Sequence, residues 1–455
     1  MLKRHRRDGM FEFFREMLNH SFVLDAMTES AANTWTHFEQ LINEHRLNRE
    51  TSRLSELVPT AGDFFTPLLL RSAWNEYDSK YCVSNRRYVN VTFNEIRHIA
   101  NLAQIMAFSP TAVAEAAELK RGSWQSDDPA DNAAQVEQQV GGGATTTKTT
   151  TTTTKSDGGA ATAAVNNSSL KLITFDGDCT LYSDGASMKH QDLANALVDL
   201  ILSGVRVGLV TAAGYGHDAP KYEARVQLLL DTLERHPNVN EEAASRFFVL
   251  GGECNFLLHC RYELDAETGT HRARLYPDTT WLPDELRCCS EEEMQSMLDV
   301  AESTLRQALS DLSLTKKALI LRKTRAVGMI QRPNEDPRAS KLRRESLDEC
   351  VLRVQHDLRA SGTTVPYCAF NGGNDCFIDI GNKRVGVRGL QSFFGFSSAE
   401  CLHVGDQFLN TGNDFAARSC CPTVWVTSPK ETFYIVRRIL KDVENDATEL
   451  TVEDE

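Results

Sequence analysis

From residue 170 onward the chain alternates short apolar runs with stretches of helical period, and few folds accept that order. The apolar run "LKLITF" is followed by "HQDLANALVDLILSG", in which Leu193, Leu197, Leu200 and Ile201 share one face and Gly204 supplies a stop. A second apolar run, "VRVGLVTAAG", leads into another helical stretch, "YEARVQLLLDTLERH". This βαβα order predicts a parallel sheet with right-handed crossovers. Ligands of such sheets gather at the carboxyl ends of the strands. There the first run ends in Asp176-Gly-Asp178-Cys-Thr180. Two carboxylates so close raise each other's cost of ionisation, so the pair calls for a cation between them or a shared proton.

The rest of the chain sets that core in context. At 455 residues it exceeds one typical core, and roughly two or three domains are expected. Hydrophobic content of 41% and charged content of 25% are those of a globular protein. A net charge of −14 argues against a nucleic-acid partner, whose binding proteins carry basic surfaces. No apolar run approaches the ~18 residues that a membrane span needs. Lys3, Arg4, His5, Arg6 and Arg7 are followed by "DGMFEFFREMLNH", which is no secretory signal. The twelve cysteines include no CxxC pair and no zinc-like spacing. They read as the reduced thiols of a cytoplasmic protein.

Composition divides the chain. Residues 1–121 are helical in pattern, as in "TWTHFEQLINEH" and "FNEIRHIANLAQIMAF". Residues 122–169 turn small and polar, ending in "GGGATTTKTTTTTTKSDGGAATAAVNNSS", a low-complexity linker with too little apolar area to offset ordering entropy. The N-terminal region is thus a separate unit or a flexibly tethered helical layer. The α/β core is expected over 170–217 and 370–440, with 218–369 mainly a cap domain and 441–455 an acidic tail. Within the cap, Met294, Met297, Leu298, Ala301, Leu305, Ala308, Leu309 and Leu312 form one helical stripe.

Further chemistry-bearing residues follow in order. Thr211 ends the second apolar run. Lys383 follows "CFIDIGN", and Asp406 ends the run "CLHVGD", with Asn413 and Asp414 just beyond. Singly, each is an ordinary cap, turn or surface residue. Together they suit phosphoryl transfer through a covalent aspartyl intermediate. Mg²⁺, a hard ion, would neutralise the paired carboxylates and shield the phosphate oxygens. A hydroxyl and an ammonium would hold those oxygens, and a second carboxyl would move the proton.

This pattern resembles the haloacid dehalogenase superfamily of phosphatases. The resemblance implies a Rossmann-like core with an inserted cap. Asp176 would be the nucleophile and Asp178 the general acid/base, with Thr211 and Lys383 as the second- and third-motif residues. Mg²⁺ would be held by Asp176, Asp178 and Asp406. More narrowly, "ITFDGDCTLYSDG", "FNGGNDCFIDIGNKRVGV", "HVGDQFLNTGNDFAAR", "RRYVNVTFNEIRHIANLAQ" and "RKTRAVGMI" are similar to IMP-specific 5′-nucleotidases. That family implies hydrolysis of inosine 5′-monophosphate to inosine and phosphate, a regulatory and assembly role for the N-terminal region, activation by ATP, and a homotetramer. The alternatives are a broader nucleotide or sugar-phosphate phosphatase or phosphotransferase, and a non-catalytic nucleotide sensor. An intact nucleophile favours an enzyme.

Substrate contacts are expected from Asp178, Asp184, Thr211, Asp375, Asp379 and Lys383. Asp184 lies in the loop facing the mouth of the sheet. Arg322, Lys323 and Arg325 alternate along a cap strand as an anion clamp or a solvated face. Arg86, Arg87 and His98 are the candidate effector contacts.

Overall fold

The computed structural model describes residues 8–23, 28–114, 169–264, 271–333 and 341–453. The low-complexity segment, except for Ser169, lies outside the described residues.

The N-terminal helices are α1 (Gly9–Val23), α2 (Thr28–Leu47), α3 (Arg53–Leu57), α4 (Leu70–Tyr81) and α5 (Phe93–Met106). Helix α5 starts at a capping box: Thr92 accepts from the Glu95 amide, and the Glu95 carboxylate accepts from the Thr92 amide at 2.8 Å. Phe14, Trp35, Phe38, Trp74, Ile96 and Ile99 give this layer a core of its own. It is also docked on the rest of the chain. Arg97 donates to the Trp425 carbonyl at 2.5 Å and pairs with Glu431 at 2.6 Å. Asn101 brackets the Trp425 backbone, donating to its carbonyl at 2.7 Å and accepting from its amide at 3.0 Å. Phe11 stacks on the Trp425 ring, and Arg418 pairs with Asp8. In this structure the region is docked on the rest of the chain through these contacts.

The large sheet has seven strands in the order β11-β10-β1-β2-β3-β4-β5. They are β1 (Leu172–Phe175), β2 (Arg206–Val210), β3 (Phe247–Gly251), β4 (Phe256–Leu264), β5 (His271–Asp278), β10 (Cys401–Gly405) and β11 (Thr423–Trp425). Strands β11, β10, β1, β2 and β3 run parallel, and the β4–β5 hairpin adds antiparallel to the β3 edge. Helices α6 (Gln191–Leu202) and α7 (Ala219–Arg235) cover it where the sequence placed them. Gly204, at φ 94°, turns the chain out of α6.

The cap is a second, four-stranded antiparallel sheet, β6-β7-β9-β8. Its strands are β6 (Ala318–Arg322), β7 (Ala326–Gln331), β8 (Tyr367–Asn371) and β9 (Cys376–Ile380), packed under α8 (Glu291–Asp311) and α9 (Arg344–Ala360). The stripe expected in α8 is buried from Met294 to Ala308. The domain boundaries differ from the expected ones at three places. Strands β3–β5 join the large sheet, so the core extends past residue 217 to Asp278. Strands β8 and β9 pair within the cap, so the cap extends past 369 to Ile380. The C-terminal residues continue a helix, since α11 runs Pro429–Glu453. Between cap and core, α10 spans Lys383–Phe394.

Candidate active site

The carboxyl ends of β1, β2 and β10 open on one place, as a parallel sheet requires. Asp176 follows β1, Thr211 follows β2 and Asp406 follows β10. Lys383 is the first residue of α10, where Asn382 caps the Val385 amide at 3.1 Å. The fully buried Lys383 ammonium lies 2.6 Å from Asp176 Oδ1 and 2.5 Å from Asp414 Oδ1. It therefore bridges the first and last segments of the pattern.

Asp414 organises this side of the site. Its Oδ2 accepts from the Asp406 and Gln407 amides at 3.0 and 2.9 Å, which fixes the loop leaving β10. Its Oδ1 meets His403 Nε2 at 2.9 Å, while His403 Nδ1 lies 2.9 Å from Thr174 Oγ1. A neutral ring satisfies both contacts, donating to Asp414 and accepting from Thr174. Burial lowers the His403 pKa, which favours that neutral form. Gly405 permits the packing, because a Cβ there would stand 2.3 Å from the Asp414 carboxyl.

Asp176, Asp406 and Asp414 each offer a carboxylate oxygen, and these atoms lie within 4.8 Å of one another. Asp406 Oδ1 is buried and has no hydrogen-bond partner. Burial pushes Asp176 up to about 7 against the pull of Lys383. Burial and the neighbouring Asp176 and Asp414 charges push Asp406 up to about 9. Burial also acts upward on Asp414, but Lys383 and His403 outweigh it and hold this carboxyl below the usual range. An all-oxygen set of crowded carboxyls, two buried and one half-buried, suits a hard divalent cation.

Asp178 stands outside that set. Its Oδ1 accepts from the Gly185 amide at 2.7 Å. Burial raises its pKa, which favours a proton on it. Of the expected cation trio, the Asp176 and Asp406 carboxylates cluster here together with Asp414, while the Asp178 side chain lies outside that cluster. Thr211 is buried and its hydroxyl accepts from the Ala213 amide at 3.1 Å.

The cap supplies the roof. Burial raises Asp375, as does the charge of Asp184 across the mouth, while Lys323 opposes both. Burial likewise raises Asp379 well above the usual range, with Glu253 adding to it. Asp184 and Asp375 therefore lie within electrostatic reach of each other, as do Asp375 and Asp379. The expected cap clamp separates. Arg322 is tied to Asp299 and Glu302 on α8 and Arg325 to Glu291, whereas Lys323 lies over the Phe377 ring at 4.6 Å. Among the effector candidates, Arg86 pairs with Glu95 at 2.6 Å and His98 with Glu431 at 3.2 Å, while Arg87 is exposed.

Sequence reasoning left Asp414 without a role, although "GND" marked it, and missed His403 and Glu253 altogether. His403 sits inside an apolar strand. Glu253 follows β3 in a turn with no polar repeat, yet it is fully buried.

Comparison with known proteins agrees with this architecture. The family model described as IMP-specific 5′-nucleotidase matches residues 1–124 and 152–436. IMP-specific 5′-nucleotidase 1 of Eremothecium gossypii is 36% identical over 472 aligned residues, covering 97% of this chain and 96% of its own. A Plasmodium falciparum IMP-nucleotidase mutant solved with IMP bound superposes with a TM-score of 0.73 at 29% identity, covering 96% of this chain and 94% of that one. The ATP-bound Plasmodium falciparum enzyme gives 0.70 at 30% identity, covering 96% and 85%. By this match and by its core, the chain belongs to the IMP-specific 5′-nucleotidase family, phosphoric monoester hydrolases built on the haloacid dehalogenase fold.

Proposed function

We propose that this protein hydrolyses inosine 5′-monophosphate to inosine and phosphate through an aspartyl-phosphate intermediate. The observation that carries the reading is the Asp176–Lys383–Asp414 bridge at the strand ends. The Asp176 carboxylate attacks phosphorus, and the bond from phosphorus to the ribose 5′-oxygen breaks. Asp178, whose burial favours a proton, delivers that proton to the leaving oxygen. It then takes one from the water that attacks phosphorus and frees Asp176. Lys383 and Thr211 hold the transferring oxygens. Asp176, Asp178 and Asp406, with Asp414 beside them, would hold the divalent cation, Mg²⁺ by its hardness and by family. Bound there, it neutralises the crowded charges. Asp184, Asp375 and Asp379 are the contacts proposed for the nucleoside.

The same reading makes ATP an activator acting through the N-terminal layer. The helix that bears His98 also grips Trp425 through Arg97 and Asn101, and Trp425 Nε1 donates to the Asp406 carbonyl at 2.7 Å. A ligand near Arg86, Arg87 or His98 that shifts α5 therefore bears on Asp406. Linkage then requires IMP and ATP to tighten each other if the effect is on affinity. The same reading includes assembly as a homotetramer. A cytoplasmic setting is supported by all twelve cysteines being free thiols. Among the described residues no helix is long and apolar enough to cross a membrane.

The test is a phosphate-release panel of nucleoside monophosphates and sugar phosphates, with and without Mg²⁺ and ATP. IMP should lead it, and equal turnover of sugar phosphates would favour a broad phosphatase. Light scattering on the same protein checks assembly.

A further inference from the structure

The turn after β3 is built from three consecutive left-handed residues, Gly252 at φ 59°, Glu253 at 50° and Cys254 at 77°. Two of these carry side chains, and such a backbone persists only where its surroundings over-determine it. Those surroundings are the site and the cap. Toward the site, Gly252 N donates to Ala213 O at 2.9 Å and Glu253 N to Thr211 O at 3.2 Å. Toward the cap, the turn holds both connections. Trp281, on the outgoing one, donates from Nε1 to Cys254 O at 3.1 Å. Gly381, on the return, lies so close that a Cβ would stand 2.6 Å from Glu253 O, and its own φ is 86°. Asn255 Nδ2 ties the turn to Ile380 O at 2.7 Å, at the end of β9.

The Glu253 side chain points the other way. It is 0% exposed. Its Oε1 accepts from Asn413 Nδ2 at 3.1 Å, and its Oε2 has no partner. Asn413 immediately precedes Asp414, which holds the loop of Asp406 and the Lys383 ammonium. One residue thus has its backbone packed against the return connection of the cap and its side chain bonded to the cation-side loop.

We propose that Glu253 is a positioning residue that locks Asn413, and with it Asp414, to the turn seating both connections of the cap. It touches no reacting atom; it keeps the cap and the Asp406–Asp414 loop in one register. The proposal rests on the hydrolase reading above for its kinetic consequence but not for its structural one.

Glu253→Ala removes the acceptor, whereas Glu253→Gln keeps an amide oxygen for Asn413. Glu253→Ala should lower kcat for IMP by about 10- to 100-fold with KM changed by no more than about twofold. Glu253→Gln should stay within about threefold of the parent kcat. Asn413→Ala should match Glu253→Ala, and the double variant should be no worse than either, since one bond is lost once. Hydrogen exchange without nucleotide should quicken over 381–386 and 406–414 in Glu253→Ala and not in Glu253→Gln. Parent-level kcat in Glu253→Ala, additive losses in the double variant, or unchanged exchange would each overturn the proposal. Should Glu253→Ala yield no folded protein, the contrast of Glu253→Gln with Asn413→Ala decides, equal kcat in the two counting against it. A parent enzyme that releases no phosphate from IMP refutes the substrate reading alone, and the exchange measurement still decides.

Discussion

The two sheets of this protein are used in opposite ways. Every residue of β1 and β3 in the large sheet is buried, so only strand ends are left to meet a ligand. The cap sheet has helices on one face. Cys376, Ile378 and Ile380 of β9 pack under α8 and α9, while Phe377 and Asp379 alternate onto the other face. Reactive groups therefore gather at the ends of one sheet, and two of the proposed nucleoside contacts, Asp375 and Asp379, come from the other. Changes in the two regions should fail differently: the core in kcat, the cap in KM and in the choice of nucleotide.

The sharpest break comes at the nucleophile. Asp176→Asn keeps the shape of the side chain and removes its charge, so kcat should fall about 10⁴-fold or more while IMP still binds. Rapid-quench phosphate release and calorimetric titration on the same variant check both halves. Near-parent turnover would remove Asp176 from the reaction. Asp178→Asn should lose about 10²- to 10⁴-fold in kcat, the usual worth of positioned proton transfer. A pH–rate profile that keeps the parent's limbs in this variant would exclude the acid/base role.

Asp414→Asn tests whether the buried bridge is structural as well as chemical. Removing one partner of a buried ion pair costs about 3–5 kcal/mol, so denaturant unfolding should show a loss of that size together with weaker Mg²⁺ binding. Asp406→Asn should weaken Mg²⁺ too, and excess metal should partly restore its activity. Absence of rescue across a wide titration argues against a ligand role for Asp406.

On the cap, Asp375→Asn should raise KM for IMP about tenfold and leave kcat within about threefold. A variant that loses kcat instead would erase the division of labour between the sheets.

The smallest effect is on stability. Asp176 at about 7 and Asp406 at about 9 are raised by burial, so the folded chain holds these protons more tightly than the unfolded one. Their stabilising contribution is full below the ordinary carboxylate range and is lost as pH climbs through those values. Asp414, held low, acts in the opposite sense, but its window lies in acid. Because a cation needs the ionised carboxyls, thermal stability in EDTA should fall from about pH 4 to about pH 9, and added Mg²⁺ should lift the midpoint more at the alkaline end. A Mg²⁺ effect independent of pH would count against these groups as its ligands.

Much of the catalytic core is legible in local pattern. The period-two and period-3.6 repeats place β1, α6, β2, α7 and α8, and the polar residues that end apolar runs mark Asp176, Thr211 and Asp406. Lys383 was legible as a motif but misleading as topology, since the strand before it belongs to the cap sheet. The low-complexity composition of 122–169 is plain in the sequence, but these residues, Ser169 apart, lie outside the described ones.

The sequence by itself determined the alternation of elements, the type of chemistry at the strand ends and the helical character of the N-terminal region. Each depends on neighbours within a few residues, where periodicity and turn chemistry act. Tertiary structure alone decided which sheet takes β3–β5 and which takes β8–β9, because strand pairing depends on partners far along the chain. It also brought the Asp414 carboxylate beside Asp176 and Asp406 and left Glu253 unexposed. A carboxylate acquires such a role from the charges and the burial brought around it, and those come from segments as distant as Asp176, Glu253, Lys383 and Asp414.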